Sequence, residues 1–287
     1  MSSLVSNSDL GALEIGALLS YWLFGVTTTQ AYTYYGRFPN DPRKLKFLVA
    51  LVCFLELGHG ICTGITVYQF LISDYTRPEL LVYVSDAMLA AILITTVIAL
   101  CVQGFFSFRI YNLSRSPYIP LFTLFLSLSR TAVSLYAVIR LGLQNATFAD
   151  FEQLSSILYA NWAASTVNDL TTAATLAYWL HRQRANVHTR TVALVDKIIK
   201  WTLETGVILS TATTLTLILF ATMPRNFIWI AMYIVQAKLY SNSFLASLNS
   251  RKALNAMNQV TLPLSAELQF DAPDVETSKA HRAGSSD

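Results

Sequence analysis

Five ionisable side chains stand where charge is costly. Glu56, His59, Arg130, Asp169 and Lys238 each fall within a long apolar run, away from the segments that carry most of the chain's charge. Counted at about 1.5 Å of rise per residue from the ends of those runs, all five come to rest near one level, the midplane of a bilayer. An ionisable group there costs at least about 2.5 kcal/mol on insertion scales, so it normally turns into the protein and finds a partner. Two acids stand against two bases. The chemistry open to such a set is ion pairing between helices, or the lining of a site for a ligand or substrate.

The neighbours of these residues recur at helical spacing: Glu56, His59, Gly60 and Thr63; Thr123, Ser127, Arg130 and Ser134; Trp162, Ser165, Asp169 and Thr172; Lys238, Asn242 and Asn249. Each set is one polar stripe on an otherwise apolar helix, the pattern of a face turned to a bundle interior. Taken singly, any of them can simply orient helices, since interhelical hydrogen bonds in membranes average under about 1 kcal/mol. Taken together, Glu56, His59, Arg130, Asp169, Lys238 and Asn242 form a candidate polar core or ligand site. No second histidine or cysteine stands at ligand spacing from His59, so no metal is expected. No cofactor is expected either.

These residues need elements long enough to carry them. At 54% apolar, 12% aromatic and 13% charged residues, the chain of 287 exceeds what a soluble core requires. About 20 apolar residues cross roughly 30 Å of hydrocarbon, and seven runs qualify: about 11–35, 45–73, 84–108, 117–140, 155–180, 193–222 and 226–248. Pro39, Pro42, Pro78, Pro224, Pro263 and Pro273 fall outside them, and Pro117 and Pro120 open the fourth, where a helix tolerates them. The fold class expected is an all-α integral membrane protein, a seven-transmembrane helix bundle. Residues 1–10 form a short extracytoplasmic N-terminus, 11–252 the bundle and 253–287, of mixed polar composition, a disordered cytoplasmic tail.

Positive charge sets the direction. With the N-terminus outside, the inner segments collect Arg37, Arg43, Lys44, Lys46, Arg109, Arg115, Arg182, Arg184, Arg190, Lys197, Lys200, Arg251 and Lys252, against Arg77, Arg140 and Arg225 outside. Positive loops stay in the cytoplasm, so the C-terminus lies inside. Asn145, in the sequence Asn-Ala-Thr of an outer loop, is a possible glycosylation acceptor, whereas Asn112-Leu-Ser faces inward. Cys53, Cys62 and Cys101 all lie within runs, where the expected role is packing. The net charge of +3 is spent on topology and on anionic lipid, so no nucleic-acid partner is expected.

The sixth run opens with Asp196, Lys197 and Lys200, followed by Glu204, and charges four apart pair along one face. This end of the helix, with the loop between the fifth and sixth helices, is a candidate surface for a cytoplasmic partner, or else a snorkelling helix end.

Several stretches, "GVTTTQAYTYYGRFPND", "FLELGHG", "QGFFSFRIYNLS", "DKIIKWTLETG" and "KLYSNSFLASLNSRK", together with Asp169, resemble the multi-pass membrane proteins of mushroom-forming fungi catalogued only as a domain of unknown function. The resemblance implies seven helices and marks Lys238 and Asp169 as family features, with Glu56 standing where the family suggests an aspartate. It supplies no reaction. A lysine in the seventh helix is shared with retinal proteins, where it forms a Schiff base, but Ile234, one turn earlier, is no carboxylate counter-ion. Ser127, Ser134 and Ser165 lack the histidine and acid of a hydrolase, so no enzyme is expected. The expected function is ligand sensing or signalling through the midplane cluster; the alternative is a small-molecule or proton-coupled transporter. Neither internal repeats nor interrupted helices, the marks of many transporters, are found. Plasma membrane and endomembrane are not distinguished.

Overall fold

In the computed structural model the backbone of residues 7–77, 79–144, 146–184, 189–224 and 226–270 is described. Seven long helices and one short one occupy it: α1 (Asn7–Arg37), α2 (Arg43–Tyr68, prolonged by a π turn over Gln69–Ser73), α3 (Asp86–Ser114), α4 (Tyr118–Gly142), α5 (Phe148–Gln153), α6 (Ser155–Arg184), α7 (Thr189–Thr222) and α8 (Ile228–Phe270). Among the described residues no strand forms beyond one isolated bridge, Tyr83 with Thr147.

Local chemistry sets the helix ends. Pro42 precedes α2 in an extended conformation, and Arg43 begins the helix directly after it. Ser85 caps α3 by accepting the Ala87 amide at 3.2 Å, with Asp86 in the first turn where the helix dipole favours an acid. Arg115 closes α3 in the left-handed region (φ 56°), and Pro117 then prevents its continuation. The small helix α5 is opened by Thr147, whose amide and hydroxyl both donate to Asp150, at 2.8 and 2.9 Å.

The helices alternate in direction, so the connections collect at two ends. The first end holds the α2–α3, α4–α6 and α7–α8 connections, and the opposite end holds α1–α2, α3–α4 and the later part of α8. α8 packs against α1, α2, α3 and α7, whereas α3 packs against α2, α4, α6 and α8, which makes these two the inner helices. Two apolar clusters fill the interior. One, towards the first end, centres on Phe70, Phe151, Trp162, Phe220 and Trp229; the other, towards the opposite end, centres on Val52, Ile98, Val102, Leu209 and Phe244. The polar groups lie where the two meet.

Outward-facing side chains are apolar too. Trp22 is 68% exposed, Phe54 72% and Phe125 65%, and such a surface is a liability in water but suits hydrocarbon. Five segments are long and apolar enough to cross a membrane: Leu10–Arg37, Arg43–Ser73, Asp86–Ser114, Tyr118–Gly142 and Ile199–Thr222. These are consistent with a multi-pass membrane protein. α6 and α8 do not reach that standard. Their polar side chains, among them Asn161, Asn168 and Asp169 on α6 and Gln236, Lys238, Ser241 and Asn242 on α8, dilute the apolar character that the other five keep.

Two boundaries differ from the sequence expectation. α3 continues six residues past 108, because "SFRIYNLS" contains no breaker before Arg115. α8 continues past 248 to Phe270, through a stretch assigned to the tail and past Pro263, expected outside the helices; Ala, Leu, Met, Gln and Glu in this stretch are competent helix formers. Residues 271–287 lie outside the described residues. At the opposite end Arg251 of α8 closes on the α1–α2 connection: Nη2 donates to Asp41 Oδ2 at 2.6 Å and the guanidinium lies 4.5 Å from the Phe38 ring centre. Burial would raise the Asp41 pKa, but hydrogen bonds from Arg251 and from Tyr34 (2.9 Å), with the charge of Lys46 nearby, hold it below the ordinary carboxylate value.

Candidate functional site

α8 carries polar groups on two opposed faces. At 100° per residue, Lys238, Ser241, Asn242 and Asn249 lie along one side, and Gln236, Tyr240 and Ser243 along the other. Most of these side chains are buried, so both faces must be satisfied from neighbouring helices.

On the first face Lys238 forms an ion pair with Glu56 of α2, both 0% exposed. Its ammonium also donates to the Glu56 backbone carbonyl at 3.1 Å and lies 5.1 Å from the Phe24 ring centre of α1. The second Glu56 oxygen accepts from Ser241 at 2.5 Å. Glu56 and Lys238 are thus a matched acid and base joining α2 to α8. Asn242 donates to the Leu23 carbonyl of α1 at 3.2 Å and to the Lys238 carbonyl at 2.9 Å, so it staples α8 to α1. His59, one turn beyond Glu56, is buried with Nδ1 3.5 Å from the Thr63 hydroxyl.

The second face holds a larger network around Asp169 of α6. Its carboxylate accepts from Gln103 of α3 at 2.5 Å, from Tyr240 of α8 at 2.9 Å and from Thr213 of α7 at 3.3 Å. Gln236 in turn donates to Thr213 at 2.5 Å. Four helices thus meet at one acid. Arg130 and Asp169 are joined through Tyr240 rather than directly. Arg130 Nη1 donates to the Tyr240 hydroxyl at 2.8 Å, and that hydroxyl donates on to Asp169, so the two charges stand two hydrogen bonds apart with a tyrosine between them. The Tyr240 hydroxyl is the bridge, and the guanidinium lies 5.1 Å from the centre of its ring.

Tyr240, Gln103, Thr213, Gln236 and Ser241 are the site residues the sequence reading passed over. Gln236 and Tyr240 stand at i and i+4, a spacing that marks a second stripe on α8 once Lys238 is not taken as the only landmark.

A narrow pocket opens between α3, α4, α6 and α8 on the first-end side of this network. Arg130, Ser134 and Asn161 line it together with Val138, Phe151, Trp162, Trp229 and Tyr233. A smaller space, walled by His59 and Thr63, adjoins it at Ile92, Trp229 and Tyr233. Of the six candidate residues, Arg130 and His59 therefore face unfilled space, Glu56, Asp169 and Lys238 are closed into hydrogen bonds, and Asn242 is a helix staple. Among the described residues no three His, Cys, Asp or Glu gather where they could hold a metal.

The other predicted positions lie apart. Asn145 falls outside the described residues, as do 185–188 of the loop before α7. Lys197 lies over the Trp201 ring at 4.9 Å, and Lys200 approaches Glu204 at 3.8 Å on an exposed face. Asp196 is half-buried.

The chain can now be set beside known families. Residues 165–253 match the model of a family of unknown function, DUF6534. The DUF6534 segment runs from α6 through α7 into α8, and contributes Asp169, Thr213, Gln236, Lys238, Tyr240 and Ser241 to the two polar faces. Glu56, Gln103 and Arg130 come from outside it. No curated protein and no solved structure matches the chain.

Proposed function

We propose that the chain spans the membrane seven times, N-terminus outside and C-terminus cytoplasmic, as one of the fungal multi-pass proteins its motifs resemble, and that it senses a small ligand entering from the outer side. The observation that carries this reading is the pocket that leads from the first end of the bundle down to Arg130, at the edge of a network joining α3, α4, α6, α7 and α8. The excess of Lys and Arg in the segments at the opposite end supports the orientation. α6 and α8, too polar to cross alone, cross as partners of the other five, with their polar faces turned inward. A ligand that changes the packing around Arg130 acts on Tyr240 and so on α8, and the exposed Lys197 and Lys200 of α7, with the half-buried Asp196 beside them, offer a cytoplasmic partner its contact.

Two measurements test this. Tags at the N-terminus and in the loop at residues 186–190 are expected to be reachable from opposite sides of the membrane, and accessibility of both in intact cells overturns the orientation. Purified full-length protein screened by thermal shift against a panel of small neutral, cationic and anionic molecules is expected to yield stabilising ligands, since binding to the folded state raises apparent stability. Those ligands are expected to lose their effect on Val138→Trp, which fills the pocket. A panel without any such ligand refutes sensing through the pocket; substrate flux into liposomes by the protein alone replaces it with transport.

A further inference from the structure

Arg130 is a buried cation short of an acceptor. Its side chain is only 6% exposed, and while Nη1 donates to Tyr240, Nη2 is buried without a hydrogen-bond partner. Asp169 does not make up the deficit. Its oxygens are already taken by Gln103, Tyr240 and Thr213, and the Tyr240 hydroxyl stands between it and the guanidinium. Tyr233 interacts with Arg130 electrostatically and comes within side-chain hydrogen-bonding reach of it, but no contact to Nη2 has the geometry of a formed hydrogen bond. An unsatisfied donor of this kind, on a charged group, is costly unless something completes it.

Arg130 lines the inner end of the pocket. Above it the walls are apolar and aromatic, chiefly Val138, Leu141, Phe151, Trp162 and Trp229, with Ser134, Asn161 and the Tyr233 hydroxyl as the other polar groups. Resting on the ligand-sensing reading above, we infer that this pocket takes an amphipathic carboxylate: a small organic acid whose carboxylate accepts from Arg130 Nη2 and whose apolar body packs against the aromatic wall that Trp162 and Trp229 form together. A guanidinium prefers a planar oxyanion, with which it forms short, strong bonds, and the aromatic walls reward an apolar tail. A cationic ligand would face the guanidinium with nothing acidic on the pocket wall to offset it, because Asp169 is not part of the lining. A neutral ligand of the same shape would complete the donor with a weaker bond.

The test compares 4-phenylbutyrate with 4-phenylbutanamide, and decanoate with decanamide, on the full-length protein in lipid nanodiscs. Thermal shift and tryptophan fluorescence are read at matched concentrations. Each carboxylate is expected to raise Tm and to bind at least tenfold more tightly than its amide. Arg130→Gln is expected to erase that preference. Should Arg130→Gln fail to fold, Ala137→Phe, which fills the pocket without removing the guanidinium, is expected to abolish binding of both carboxylates. Equal binding of acid and amide, no binding of either, or acid binding that survives Ala137→Phe each overturns the inference. A neutral or cationic ligand found in the wider panel and blocked by Val138→Trp preserves ligand sensing while refuting the carboxylate. A wholly inert panel refutes both.

Discussion

Replacing Glu56 by alanine leaves the Lys238 ammonium buried with its counter-charge gone. Both side chains are 0% exposed, so no solvent takes over the lost interaction. Breaking a buried pair from one side costs about 3–5 kcal/mol. Two contacts moderate that here: the Glu56 backbone carbonyl, 3.1 Å from the ammonium, persists in the alanine variant, and the Phe24 ring remains beneath it. One contact adds to the cost, because Ser241 loses the carboxylate oxygen it donates to at 2.5 Å, worth about 1 kcal/mol or more. The expected loss is therefore about 3 kcal/mol, at the lower end of the range for a broken pair. Glu56→Leu combined with Lys238→Met is expected to be nearly neutral, since apolar residues of similar volume often replace a buried pair without loss. Reversible unfolding of the purified protein in mixed micelles, followed by circular dichroism, measures both variants against the wild type. A loss under about 1 kcal/mol for Glu56→Ala, or a double variant as unstable as Glu56→Ala, refutes the view that this pair is matched charge within a dry interior.

Other substitutions probe other joints. Tyr240→Phe removes the hydroxyl that Arg130 and Asp169 share, and is expected to cost about 2–3 kcal/mol in the same unfolding assay, because both hydrogen bonds involve charged groups. Gly206→Ala places a Cβ 2.1 Å from that of Ala173 and so forces α6 and α7 apart; it is expected to destabilise by about 1–3 kcal/mol, and Ala173→Gly is expected to restore most of the loss. Asp41 has its pKa depressed in the fold, so its ionised form contributes stability at pH values above the unfolded value of about 3.9. That contribution is lost as pH falls through the lower folded pKa. Wild type is thus expected to exceed Asp41→Asn in Tm at pH 7 and to converge with it in strong acid; a gap that persists there refutes the assignment.

The long helices were legible because apolar runs of membrane length announce themselves, and the cost of a mid-run charge draws the eye to Glu56 and Lys238 at once. That those two meet follows from the adjacency of α2 and α8. Tyr240 was not legible in the same way. A tyrosine is ordinary in an apolar helix, and only the packing of α4 and α6 around α8 shows that its hydroxyl carries a bridge between two charges. Gln103 and Thr213 were hidden for the same reason, since an uncharged polar residue bears no sign of which acid it serves. α5 was missed because six residues make no periodic pattern, although Thr147 and Asp150 stand at the spacing of a capping box.

The polarity of α8 has a consequence for how the protein is made. Its Lys238, Gln236 and Asn242 weaken its own partition into lipid, and it leaves the ribosome after the other six long helices, on which its polar faces depend. In a bundle that spans the membrane as proposed, Glu56 must wait beside the translocon, unneutralised, until α8 arrives. A nascent chain halted after α7 would therefore hold an exposed acid in the bilayer, and quality-control machinery that reads such charges would meet this protein during every round of synthesis.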